Sequence, residues 1–172
     1  MLIASHRLQK TRRKRPVPAG WANDEQISTY KPEKASEQLY PGGRLLAIAA
    51  SGERAIVGSP HGVAGIYDCA ENVVVSILKG GAGAITGGVW IDDDSRAVIS
   101  TATGQVKVFD GKEESASFAT HAGAVTAVAL HPSGSILASV GVDKSYAIYD
   151  LEGVKVVAQV YTDAGMFSSE IP

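Results

Sequence analysis

The sequence predicts an all-β protein made of repeated four-stranded antiparallel sheets. Three observations lead there. The stretch His121–Asp150 divides into three short strand-like runs separated by tight-turn residues. The same pattern returns at intervals of roughly 40 residues, the length of one four-stranded repeat unit. With 19 glycines and 45% apolar residues, the composition suits a β-rich globular chain.

The best-marked unit runs as follows. Val125, Ala127 and Ala129 alternate with Thr126, Val128 and Leu130, a small-residue strand apolar on both faces and so expected to be buried on both. His131-Pro-Ser-Gly134 turns the chain, because Pro fixes φ and Gly permits φ > 0. Ile136–Val140 is a second strand, Gly141-Val-Asp-Lys144 a second turn and Ser145–Tyr149 a third strand. Val154–Val160 supplies the fourth, completing one blade of a β-propeller.

Two earlier units follow from the repeat. The first has strands at Arg44–Ala49, Arg54–Gly58, Val63–Tyr67 and Val73–Leu78. The second has Ile85–Ile91, Ala97–Ser100, Gln105–Phe109 and Ser115–Phe118. Lys79-Gly-Gly-Ala-Gly83 connects them. It lacks the G-x-x-x-x-G-K-[ST] spacing of a phosphate loop, and no helix follows. Asp92-Asp-Asp94 lacks the spacing and distal Glu of a calcium loop and reads as a hairpin turn.

The polar residues of the last unit are spaced informatively. His121 precedes the first strand, Asp143 lies in the second turn, Ser145 follows two residues later, and Tyr149 sits at the end of the third strand. A buried Asp needs donors, and an imidazole and a hydroxyl can supply them. The arrangement resembles the WD repeat, in which His, Asp, Ser or Thr, and Trp form a hydrogen-bonded chain across one blade. Tyr149-Asp150 stands where that family usually has Trp-Asp. The middle unit has Gly81, Thr103 and Gln105 at the His, Asp and Ser places, so it is expected to rely on apolar packing and backbone ladders alone.

These units imply about three blades of a presumed seven. A closed propeller needs four to eight blades, and seven would need roughly 280 residues at this period. The expected organisation is a basic, Pro-containing arm over residues 1–43, blades over 44–164 and an unpatterned tail over 165–172. Blade faces left open predict poor folding or aggregation of the isolated chain.

The net charge of −2 hides an asymmetry. Six of the 16 basic residues lie in the first 20 positions with no acid among them, leaving ten against 18 acids. The run Thr11-Arg12-Arg13-Lys14-Arg15 has three readings: a solvated linker, a nuclear import signal, or an RNA-phosphate contact. No aromatic interrupts these cations, which disfavours base stacking. Pro16 and Pro18 stiffen the exit, Ala22–Tyr30 could form a short helix, and Trp21 or Tyr40 is expected to pack the arm on the blades.

Catalytic chemistry is not expected. Cys69 is the single cysteine, which excludes an internal disulfide and a multi-Cys zinc site. No His pair has metal-ligand spacing, so no metal or cofactor is predicted. His61 occupies the turn position that Asp143 holds later, and His131 opens a turn. Ser145, His121 and Asp143 form a triad on paper, but inside a blade no substrate could reach them. No run of 18 apolar residues occurs, so no membrane-spanning helix is expected.

Longer strings carry a narrower resemblance. Thr11-Arg-Arg-Lys-Arg-Pro-Val-Pro18, Tyr40-Pro-Gly-Gly-Arg44, Gly62-Val-Ala-Gly-Ile-Tyr67, His121-Ala-Gly-Ala-Val-Thr126 and Leu137-Ala-Ser-Val-Gly-Val-Asp-Lys-Ser-Tyr146 resemble fungal pre-mRNA-processing factor nineteen. The resemblance spans roughly residues 11–164. It implies a nuclear spliceosomal scaffold and U-box ubiquitin ligase, acting in splicing and DNA repair, that forms a tetramer through a coiled coil. The U-box and coiled coil have no counterpart here, so ligase activity carries over to no residue of this chain. What carries over is the propeller's role: loops and an acidic surface that hold splicing-complex proteins and ubiquitination substrates, with RNA close to the basic arm. Two other readings are an oligomeric propeller that binds a small ligand or acts as an enzyme, and a truncated gene product without function.

Overall fold

The computed structural model describes residues 43–91 and 95–162. They fall within one compact unit, Ser36–Pro172. Three four-stranded sheets follow one another along the chain, each a simple antiparallel meander. The first contains β1 (Arg44–Ile48), β2 (Arg54–Gly58), β3 (Val63–Asp68) and β4 (Val73–Lys79). The second contains β5 (Ile85–Ile91), β6 (Arg96–Thr101), β7 (Gln105–Asp110) and β8 (Glu113–Ala119). The third contains β9 (Val125–Leu130), β10 (Ile136–Gly141), β11 (Ser145–Asp150) and β12 (Lys155–Tyr161).

The repeat extends to backbone irregularities. In every sheet the third and fourth strands slip register by one residue at the same place: Ile66/Tyr67, Val108/Phe109 and Ile148/Tyr149. Such a bulge bends the strand and raises its twist. Three sheets with the same bulge can therefore stack with the same face-to-face geometry.

The stacking forms two apolar cores. Ile56, Ala64, Ile66 and Leu78 of the first sheet meet Ile85, Ala97, Ile99 and Phe109 of the second. Val98, Val106, Val108 and Phe118 on the second sheet's other face meet Val125, Leu137, Ala147 and Tyr149 of the third. The strand register makes the donor residues equivalent: Ile56 opposes Ile66 as Val98 opposes Val108, and Leu78 opposes Ala64 as Phe118 opposes Val106. Each fully buried aliphatic side chain contributes about 1.5–3 kcal/mol. Phe118 and Tyr149 add a tilted ring pair at 4.9 Å.

Three details differ from expectation. In β9 only Val125 is buried, and the rest is half-buried. Val128 and Leu130 cover the second sheet, whereas Ala127 and Ala129 lie on the opposite face. Next, β12 begins at Lys155, because Val154 has φ 48° and closes the preceding turn. Finally, β8 begins earlier than expected, at Glu113. Its charged residues suggest a loop, yet β8 is an edge strand, where charge is tolerated.

Lys79–Gly83 connects sheets as expected, with the Gly80 amide donating to the Gly62 carbonyl at 2.8 Å. Gly62 (φ 80°) must be glycine, since a Cβ there would strike the Gly81 carbonyl. The basic run Arg12–Arg15, the helix over Ala22–Tyr30, Trp21, Tyr40, Asp92-Asp-Asp94 and the tail from Gly165 lie outside the described residues.

Candidate functional site

The third sheet brings His121, Asp143, Ser145 and Tyr149 into one hydrogen-bonded network. His121 lies just before β9, and its ring reaches across the sheet. Nδ1 lies 3.1 Å from Asp143 Oδ1 and 2.9 Å from Ser145 Oγ. Asp143 Oδ1 accepts the Ser145 hydroxyl at 2.9 Å and the Ser145 amide at 3.2 Å. Asp143 Oδ2 accepts the Ala122 amide at 2.9 Å, which ties the start of the blade to its second turn.

The link from histidine to tyrosine is a residue the sequence reading passed over. Ser139 Oγ lies 2.7 Å from His121 Nε2 and 2.8 Å from Tyr149 Oη. Ser145 therefore sits on the aspartate side of the ring, and Ser139 is the bridge. The signal was a lone hydroxyl in the apolar run Leu137-Ala-Ser-Val140, on the same sheet face as Leu137 and Tyr149. The protons run one way. The ionised carboxylate only accepts, so Nδ1–H faces Asp143, Ser139 donates to Nε2, and Tyr149 donates to Ser139.

Burial sets the electrostatics. Burial alone would raise the Asp143 pKa. The Ala122 amide, the Ser145 hydroxyl and the His121 ring outweigh it and hold the carboxyl below its ordinary value. Burial pushes the Tyr149 phenol up.

The middle sheet solves the same problem differently. Thr103, at the Asp143 position, donates to the Ala82 carbonyl at 3.1 Å and shares a hydrogen bond with Thr101 at 2.9 Å. Thr101 Oγ1 also accepts the Gln105 amide at 3.1 Å. The expectation that this blade lacks a polar set is thus corrected, because two threonines rebuild part of it. Thr101 stands where the third sheet has Gly141, and Ser59 stands there in the first, with its Oγ accepting the His61 amide at 3.0 Å. Gly141 is bare for a reason. A Cβ there would lie 2.5 Å from His121 Nδ1 and 2.6 Å from Asp143 Oδ1. An imidazole and a side chain at that position exclude each other.

This network is closed to substrate. Ser139, Ser145 and Tyr149 are fully buried, and His121 is buried. No nucleophile points outward, so the Ser–His–Asp combination has no catalytic geometry. Among the described residues, no group of three His, Cys, Asp or Glu side chains could hold a metal ion. No described helix is long and apolar enough to cross a membrane.

Two of the open surfaces among the described residues bear on binding. A concavity of about 260 Å³ lies along the first strands of the three sheets, lined by Arg44, Leu46, Thr86, Gly87, Thr126 and Val128. It is shallow, and Gly87 lets Val128 approach, since a Cβ would sit 3.3 Å from Val128 Cγ2. The second surface is the strand-end loops. Glu53, Glu71, Glu113 and Glu152 all lie at the end that carries the first and third turns of each sheet, opposite the His121 network, and all are exposed.

Comparison with known proteins agrees with this geometry. Residues 112–150 match the family model for the WD domain, G-beta repeat. The chain is 24% identical over 166 residues to pre-mRNA-processing factor 19 homolog 2 of Arabidopsis thaliana, covering 91% of this chain and 31% of that protein. It therefore spans about a third of that relative's length. A chain in the crystal structure of the mitotic checkpoint complex superposes with a TM-score of 0.62 at 19% identity, over 67% of this chain and 37% of that one, a likeness of fold alone. The chain is all-β, its three four-stranded antiparallel sheets are consistent with WD-type propeller blades, and residues 112–150 match one WD repeat.

Proposed function

We propose that this chain is a protein-interaction scaffold, the WD-repeat portion of a nuclear, splicing-associated ubiquitin ligase assembly, and that it carries no catalysis of its own. The observation that carries this reading is the closed network. His121, Ser139, Asp143, Ser145 and Tyr149 of the best-formed blade are consumed in holding that blade together. Similarity to a pre-mRNA-processing factor over nine-tenths of the chain supports the splicing context.

Recognition then belongs to the loops. The end bearing Glu53, Glu71, Glu113 and Glu152 also carries Asp68, Asp110 and Asp150, against Arg54, Arg96, Lys112 and Lys155. An excess of acid in short loops on a rigid frame suits basic protein segments, with charge setting encounter rate and selectivity. The basic run Arg12–Arg15 supplies nuclear import or RNA proximity in this reading.

The test is affinity capture of the tagged chain from nuclear extract, compared with a Glu71→Lys/Glu113→Lys/Glu152→Lys variant. Splicing-complex proteins recovered by the wild-type chain and lost in the variant support the reading. Recovery of the same proteins by both, or of none by the wild type, contradicts it.

A further inference from the structure

We infer that the buried chain from His121 through Ser139 and Tyr149 to Thr120 is reversible: when the imidazole takes up a second proton, its hydrogen bonds turn around as a unit and Thr120 accepts the last of them. The third sheet thereby holds the connector between β8 and β9 through a proton-sensitive lock. This concerns the frame of the blade and holds whichever partner its loops engage.

The geometry meets three requirements. The first is a continuous path. Ser139 Oγ lies 2.7 Å from His121 Nε2 and 2.8 Å from Tyr149 Oη, while His121 Nδ1 faces Asp143 Oδ1 at 3.1 Å. The second is that every link works in both directions. A hydroxyl and a phenol each donate and accept, and Nε2 accepts when bare and donates when protonated. The tryptophan usual in the WD repeat would not serve, since an indole N–H only donates. The third is a terminus. Phe118 packs against the Tyr149 ring at 4.9 Å, and Thr120, two residues further on, brings its side chain beside the phenol. Thr120 Oγ1 is buried, yet it stands outside hydrogen-bond geometry to any partner. A buried acceptor without a donor is uncommon. Here the donor arrives when the chain turns.

In the neutral network Tyr149 donates to Ser139, and Ser139 donates to Nε2. One proton then enters from solvent. The Ser139 proton passes to Nε2, the Tyr149 proton passes to Ser139 Oγ, and the incoming proton takes its place on Tyr149 Oη. Each oxygen keeps its valence, the ring gains the one positive charge, and the new phenol O–H donates to Thr120 Oγ1. Asp143 stays ionised opposite the ring, because the Ala122 amide and the Ser145 hydroxyl help hold its pKa below the ordinary value. Tyr149 is the other titratable group on the network. β9 and β10 contain none, and the glutamates of β8 lie at its far end. The Ala102–Gly104 turn, whose Gly104 carbonyl accepts the His121 amide, has none either, and Lys144 beside Asp143 is exposed. The added charge therefore meets a carboxylate and, among the described residues, no buried cation.

The test is NMR of the His121 ring nitrogens in the wild-type chain and in Thr120→Val, Thr120→Ser and Tyr149→Phe, each followed from neutral pH into acid. In the wild type, Nδ1 alone is expected to carry a proton at neutral pH, and Nε2 to gain one while the sheet is still folded. Thr120→Val keeps the side-chain shape and removes an oxygen that has no partner in the neutral network, so neutral stability is expected at or above wild type. Its second ring protonation is expected about one pH unit lower, roughly a tenfold loss of proton affinity, because the turned phenol has no acceptor. Tyr149→Phe is expected to move the midpoint the same way, and Thr120→Ser to restore it. A neutral ring protonated on Nε2, a ring that stays singly protonated until the sheet unfolds, a midpoint unmoved by Thr120→Val or by Tyr149→Phe, or Thr120→Ser behaving as the valine variant would overturn the inference.

Discussion

Ser139 and Tyr149 share a 2.8 Å hydrogen bond in the buried centre of the third sheet, and through Ser139 the tyrosine reaches His121. A phenol thus takes the last place in the network, where an indole would stand in the resembling family. Ser139→Ala orphans two groups, the Tyr149 hydroxyl and His121 Nε2, and is expected to cost roughly 2–4 kcal/mol. Tyr149→Phe removes one hydroxyl and leaves Ser139 its histidine, so it should cost about 1 kcal/mol. Urea titrations of both variants and of the double variant check this, with a double-variant cost below the sum of the single costs.

Gly141 and His121 form a second coupled pair. Gly141→Ala places a methyl within 2.6 Å of both His121 Nδ1 and Asp143 Oδ1. The expected loss is roughly 3 kcal/mol or more, from overpacking and a broken network. Adding His121→Gly, which recreates the middle blade's empty histidine position, should make the double variant less destabilised than the two single costs combined. Thermal melts of the three variants measure it.

All three sheets were legible because turn residues and alternating strands recur at fixed spacing. The polar network was only partly legible. His121 and Asp143 lie in turns, where a polar residue stands out, whereas Ser139 sits mid-strand and its role depends on which face the register gives it. Thr103 was placed at the Asp position, but its partner Thr101 was missed because a threonine pair does not resemble the histidine–aspartate pair it replaces. Only the register shows Thr101 at the place of Gly141. The start of β12 was misplaced by a β-branched residue, Val154, in a left-handed conformation that its side chain disfavours.

Acid should weaken the fold through Asp143. Its folded pKa lies below the unfolded value of about 3.9, so its contribution is present above that pH and is lost as pH falls through the folded pKa. Denaturation midpoints followed from neutral pH down to strong acid should therefore fall more steeply for the wild type than for Asp143→Asn. Parallel curves would remove Asp143 from the acid response.

Equivalent turns should not be equally sensitive. Asp143→Ala removes the acceptor for Ala122, Ser145 and His121 and is expected to cost a few kcal/mol, roughly one for each orphaned group. Thr103→Ala loses two neutral, partly solvated hydrogen bonds and should cost about 1 kcal/mol. Guanidinium titrations compare them, and equal costs would contradict the alignment of the two blades.

The most direct measurement is residue-resolved amide exchange at Ala122 and Ser145, the two backbone donors to the buried Asp143 carboxylate. Both are expected to exchange only through global opening in the wild-type chain and to become fast in Asp143→Ala. Fast exchange at both amides in the wild type would mean that the network is open to water, and the case for a sealed, non-catalytic blade would fail.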